Sequence, residues 1–319
     1  MALREPLDTA VPNRWTRLLL LLLLGLMLAA CRREPAPVEG APQEPVAAVE
    51  ALAAALEAGD VRRYSELSLP PAQRAEQAAL WRRQMAATPP IAAEQVQRFN
   101  ELMALLTAPD AEARLWAEAE PRLAAIQQQV GPKWSMGVTM LSGFAKTAIA
   151  ADPTLSEAEQ THAAGVVDAV AGWAGDPALL TDPARAQAAI AIAVRTAREL
   201  DLPTLDAARA LEYDAMLDKA GIAFRGAKSI ASAFGIDVQA ALSQVQAEVV
   251  ELDPSGDRAV VRVRYPLLGQ QVEFLQPMVR IDGGWYREDA VNALAEALAA
   301  EAESAADATA DAPAPALAP

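Results

Sequence analysis

The chain has 319 residues, a formal net charge of −15, 53% hydrophobic residues, one cysteine and one histidine. The acidic balance argues against nucleic acid, whose phosphates would repel it, and against electrostatic adhesion to anionic lipid. A lone cysteine rules out an internal disulfide and a thiolate-built metal site, so stability must come from packing, in a chain long enough to bury a sizeable core.

Arg14 and Arg17 precede an apolar run, Leu18 to Ala30, that ends in small residues at 29 and 30 before Cys31. A basic flank, a short apolar segment and small residues form the layout of a bacterial export signal. The run falls short of the roughly 20 residues that a membrane-spanning helix needs. Leu28-Ala29-Ala30-Cys31 resembles the lipobox of bacterial lipoproteins at every position. That resemblance implies a diacylglycerol on Cys31, removal of residues 1–30 and acylation of the new amine. The membrane is then the partner through lipid on Cys31, because several acyl chains at about 0.8 kcal/mol per buried methylene hold a protein on a bilayer. In that family an aspartate after the cysteine retains the protein in the inner membrane, so Arg32 points to the outer membrane, facing the periplasm. The alternative is an ordinary thiol at the end of an uncleaved anchor. Glu5 and Asp8 are unusual in a positive leader and raise a start at or near Val11. The leader carries three arginines against two acids, so its removal takes the charge from −15 to −16.

Residues 31–45, with four prolines after Cys31, read as a solvated tether. A helical region follows over 46–235. Val49, Leu52, Ala53 and Leu56 recur at helical spacing, and Gly59-Asp60 closes one helix and caps the next before Pro70-Pro71. The proline pair opens a helix through Leu80, Trp81 and Met85 that stops at Pro89-Pro90. Val96, Phe99, Met103 and Leu106 mark an amphipathic face, and a further helix spans Ala111 to Val130 with a break expected at Pro121. Two runs, Trp134 to Ile149 and Ala186 to Val194, are apolar around most of their circumference and so are expected to be central, buried by neighbouring helices. Further helices are expected at 153–175, 206–220 and 222–234.

The period changes after 236. Val245 to Leu252 and Arg258 to Tyr265 flank Asp253-Pro-Ser-Gly-Asp257, a hairpin signal. Alternation puts Ala259, Val261, Val263 and Tyr265 on one face and Val260, Arg262 and Arg264 on the other. A third strand, Gln271 to Ile281, contains Pro277 and so suits an edge or bulge. Asp282-Gly283-Gly284 turns into Trp285-Tyr286-Arg287, and a last helix runs from Asp289 to about Ala300. The fold class is α+β, mostly helical: a multi-helix body, then a four-stranded antiparallel meander (236–303) with a C-terminal helix, packed on the helical region. Residues 304–319, rich in Ala, Asp and Pro, read as a disordered tail. The helix ending in Ala55-Leu-Glu-Ala-Gly-Asp60, with Tyr64, Leu67 and Pro70, together with Asp257-Arg-Ala-Val-Val-Arg-Val263 and Met278-Val-Arg-Ile-Asp-Gly-Gly-Trp-Tyr286, resembles the two ends of secreted domains similar to nuclear transport factor two. That resemblance, over 46–70 and 243–288, implies a sheet wrapped on a helix to form a pocket.

No sequence pattern nominates a catalytic residue, a metal site or a cofactor. His162, with Glu157, Glu159 and Asp168 nearest in sequence, reads as a polar helix-face residue, since catalysis needs a positioned partner and a metal needs several ligands. Trp81-Arg82-Arg83 reads as a solvated helix face. Arg262 and Arg264 are candidate ligand contacts, weighed against pairing with Glu273 and other acids across the hairpin. Met136, Met140 and Phe144 read as core packing. The sequence therefore points to a lipid-anchored envelope protein that binds an envelope protein or a small ligand without catalysis. The alternatives are a carboxylate-based envelope enzyme such as a glycan-directed hydrolase and a helical-repeat scaffold, although no constant period is present.

Overall fold

The computed structural model describes residues 40–129, 133–153 and 155–310. The lipobox, Cys31, the tether up to residue 39 and the end of the expected tail lie outside the described residues. The first helix, α1 (Pro45–Ala58), starts on a proline, whose missing N–H has no intrahelical partner to lose. It ends at Gly59, whose φ of 70° sends the chain out through the left-handed region. Asp60 then caps α2 (Val61–Ser68) by accepting from the Arg63 amide at 2.8 Å.

The chain continues through α3 (Pro71–Ala87), α4 (Ala93–Thr107), α5 (Ala111–Gln129), α6 (Lys133–Ala151), α7 (Glu157–Ala174) and the short α8 (Pro177–Thr181). Next come α9 (Pro183–Leu200), the short α10 (Leu205–Arg209), α11 (Tyr213–Ala233) and α12 (Val238–Ser243). The sheet follows as β1 (Gln246–Leu252), β2 (Arg258–Leu267), β3 (Gln270–Ile281) and β4 (Gly284–Arg287), and α13 (Glu288–Ala310) closes the described chain. The architecture is thus α+β and mostly helical, with an antiparallel sheet in the order β1-β2-β3-β4.

Two of the three hairpins turn on two residues with positive φ, Leu268-Gly269 and Asp282-Gly283, the mirror-image turns whose twist matches paired strands. Ala259, Val261 and Val263 of β2, with Met278 of β3 and Trp285 of β4, pack on Ala48 and Val49, so α1 lies across one face of the sheet. Pro277 lies one residue beyond the stretch of β3 that β4 covers, Met278 to Ile281, where β3 has a strand neighbour on one side only. In the helical part, α9 is central: Val194 and Ala197 are buried, and the helix packs on α4, α5, α8 and α11.

Four local expectations differ. Pro121 lies inside a continuous α5, because the position is exposed and the carbonyl it leaves unpaired faces water. Residues 41–44 are not free tether: the Trp285 amide donates to the Pro42 carbonyl at 2.9 Å, giving the edge strand β4 an acceptor on its open side. The last helix runs on through Ser304 to Ala310, since no proline interrupts its alanine-rich sequence before Pro313. The fourth correction concerns α6. It packs on α7 but has no buried residue, and Met136, Met140, Leu141 and Phe144 are 61–70% exposed. Lack of charge around a helix signals an apolar neighbour without saying that the neighbour is protein.

Candidate ligand-binding cavity

The face of the sheet that α1 crosses is only partly filled. Between α1, α7, α12 and strands β2 and β3 lies a cavity of about 360 Å³, within the range of sites for small molecules. Val49, Leu52 and Leu56 of α1, Val166 of α7, Leu242 of α12, Val263 of β2 and Phe274 of β3 make its walls apolar. The alternation of β2 and β3 decides this, because successive side chains point to opposite faces. Val261, Val263 and Val272 are buried on the α1 side, while Arg262, Arg264 and Glu273 stand on the other.

Polar groups enter at two places. At one, Arg287 donates to the Tyr64 hydroxyl and to both carboxylate oxygens of Asp289, and its guanidinium lies 5.6 Å from the centre of the Tyr64 ring. Burial works against the Arg287 charge, but the bonds to Asp289 and Tyr64 outweigh it and hold the group above its ordinary pKa. Gln276 joins this cluster through its amide, 3.2 Å from Asp289 Oδ1. At the other, the Tyr265 hydroxyl enters, 2.8 Å from Nε2 of His162, whose imidazole stands behind the wall and packs 4.9 Å from the Phe274 ring. Burial pushes the His162 pKa below 6.5 and the Tyr265 pKa above 10, so both are neutral near pH 7. Gln276 pairs with Val261, and Tyr265 follows four residues along β2, which separates the two polar places by about 13 Å at strand rise.

Such a site can hold an elongated, mostly hydrocarbon molecule and hydrogen-bond its head. Among the described residues its walls carry no Asp or Glu, so paired-carboxylate chemistry has no seat on them. Two of the three acids nearest His162 in sequence are engaged elsewhere: Glu159 completes the capping box of α7 with Ser156, and Asp168 binds Lys146 at 2.7 Å. Among the described residues no group of three or more His, Cys, Asp or Glu side chains is placed to hold a metal ion.

The two arginines singled out in the sequence lie away from the cavity. Arg262 and Arg264 each donate to Glu248 Oε1 at 2.8 Å, and Arg264 also reaches Glu273 at 3.3 Å, on the outer face of the sheet. Both pairings follow the register, which sets Glu248 opposite Arg262 and Arg264 opposite Glu273. Arg83 joins α3 to α13 by binding Glu301 at 2.7 Å, and Trp81 packs 6.0 Å from Tyr213. Sequence reasoning missed Tyr64, Gln276 and Arg287 as a group, since the first lies more than two hundred residues from the others. Alternation puts Tyr265 on one face with Ala259, Val261 and Val263, which is the face toward α1; its contact with His162 has no sequence signal. Comparison with family models, curated proteins and solved structures found no match to the chain.

Proposed function

We propose that the protein is a lipid-anchored component of the bacterial cell envelope that binds a small, mostly hydrocarbon molecule without transforming it. The observation that carries the binding half is the cavity of about 360 Å³, apolar along its length with hydrogen-bonding groups at two separated places. A helix laid across an antiparallel sheet, with a pocket between them, is also what likeness to the nuclear-transport-factor-two group implies. The address rests on Leu28-Ala29-Ala30-Cys31 and the leucine run before it. In this reading Cys31 carries the acyl groups, the outer membrane holds the protein facing the periplasm, and the described body meets its ligand there.

Decanoate is a suitable probe: ten carbons fit the volume and its carboxylate can meet Arg287 and Tyr64. A ligand that binds only the folded state stabilises it by about 2.7 kcal/mol at a hundredfold excess over Kd. Saturable elevation of the melting temperature by decanoate is therefore expected, and no elevation at any concentration below its micelle threshold would overturn the binding half. For the address, cells fed labelled palmitate are expected to label the chain but not its Cys31→Ser variant. An unlabelled wild-type chain in cells that label other lipoproteins would overturn it.

A further inference from the structure

The exposed side of α6 is an apolar feature that the cavity does not explain. Met136, Met140 and Phe144 follow one another at four-residue spacing, and with Leu141 they cover an arc of about 140° at 3.6 residues per turn. All four are 61–70% exposed. The rest of the helix circumference is fixed to the body: beside Leu141 the Trp134 indole donates to the Ala174 carbonyl at 2.8 Å, and on the far side Lys146 binds Asp168 at 2.7 Å. The apolar arc is therefore held outward by a braced helix.

Charge says what kind of surface covers it. The chain carries 42 acids against 27 lysines and arginines, yet from Pro121 to Ala151 there is no Asp or Glu, and Arg122, Lys133 and Lys146 are the charged residues. This positive interval contains α6 and the second half of α5, where Ile126 is also exposed. An acid-free apolar strip with Lys133 at its start, on a body that is acidic elsewhere, complements the anionic headgroups and acyl boundary of a phospholipid surface, while Lys146 is already paired with Asp168. A second copy of the chain fits less well. The 19 residues of α6 span about 28 Å, and a strip about 10 Å wide would bury about 560 Å² in total on pairing. Stable interfaces bury about 1,200 Å² or more. Among the described residues no helix is long and apolar enough to cross a membrane, so the contact is with the surface.

We infer that α6 is a membrane-contacting element, seated by Met136, Met140, Leu141 and Phe144 in the interfacial layer of an anionic bilayer. The inference does not require an acyl chain on Cys31. An isolated apolar strip is a weak binder, however, and would act mainly to orient a body brought to the bilayer by other means.

Spin labels on single cysteines in the full chain test it. Cys31→Ser combined with Met140→Cys, with Phe144→Cys, or with Ser255→Cys in the exposed β1–β2 turn as reference, each with a myristoyl group on the N-terminal amine to bring the body to the bilayer, would be bound to vesicles of mixed zwitterionic and anionic phospholipid and shown by co-sedimentation to be on them. The ratio of accessibility to oxygen over a water-soluble nickel chelate is expected to be several-fold higher at 140 and 144 than at 255. Equal ratios at all three sites would overturn the inference. So would a loss of both accessibilities at 140 and 144, the signature of burial under another protein surface.

Discussion

His162 illustrates how a residue with no sequence signature acquires a role from its surroundings. It is the only histidine of the chain, half-buried between Tyr265 and Phe274, where burial lowers its pKa below 6.5. The neutral form is the one the fold accepts. The linkage follows directly: with the folded pKa below the unfolded one, the unfolded chain binds more protons as pH falls through 6.5, so stability is full above that value and declines below it. A single imidazole resonance is expected by NMR to titrate with a midpoint under 6.5, and His162→Gln is expected to flatten the decline in melting temperature between pH 7 and pH 5 that remains after correction for acid groups. A midpoint at or above the ordinary value would remove His162 from the buried pair described here.

At the scale of elements, packing rests on close approaches that only glycine allows. A Cβ at Gly221 of α11 would meet the Gly59 carbonyl at 2.9 Å, a backbone atom that cannot rotate away. Gly221→Ala is therefore expected to destabilise the protein by about 1–3 kcal/mol through overpacking, read as a lower midpoint in chemical denaturation; Gly137→Ala on α6, where nothing lies within 4 Å, is expected to be neutral or stabilising. The elements themselves were legible in the sequence to differing degrees. Helix ends at Gly59-Asp60 and Pro70-Pro71, the turns at 253–257 and 282–284 and the two faces of β2 follow from local chemistry, so they could be read directly, whereas the Leu268-Gly269 turn was not. The exposure of α6 could not, because an uncharged helix reads the same whether protein or lipid covers it. Nor could the pinning of Pro42 to Trp285, which depends on where an edge strand ends in space.

At the scale of the whole molecule, the long helical interval between α2 and β1 separates the pieces that enclose the cavity. Val49, Val166 and Phe274 face one space although they come from distant parts of the chain, and no periodicity along the sequence encodes that meeting. The long-range ties that hold the pieces include the Lys228 ammonium on the Leu56 carbonyl at 3.0 Å and the Arg62 guanidinium on Asp218 Oδ1 at 2.7 Å. Charge is distributed on the same scale: in a chain with 42 acids, the interval from 121 to 151, which holds α6, has no Asp or Glu. The central claim is that the space under the sheet is a binding site, and filling it tests that most directly. Ala53 lines the cavity, so the side chain of Ala53→Phe would occupy it. Isothermal titration of decanoate into the full chain is expected to show one saturable site per chain, weakened at least about tenfold, or about 1.4 kcal/mol, in a variant that still unfolds cooperatively. Equal affinity in a folded Ala53→Phe chain, or no saturable binding by the wild type, would contradict the account.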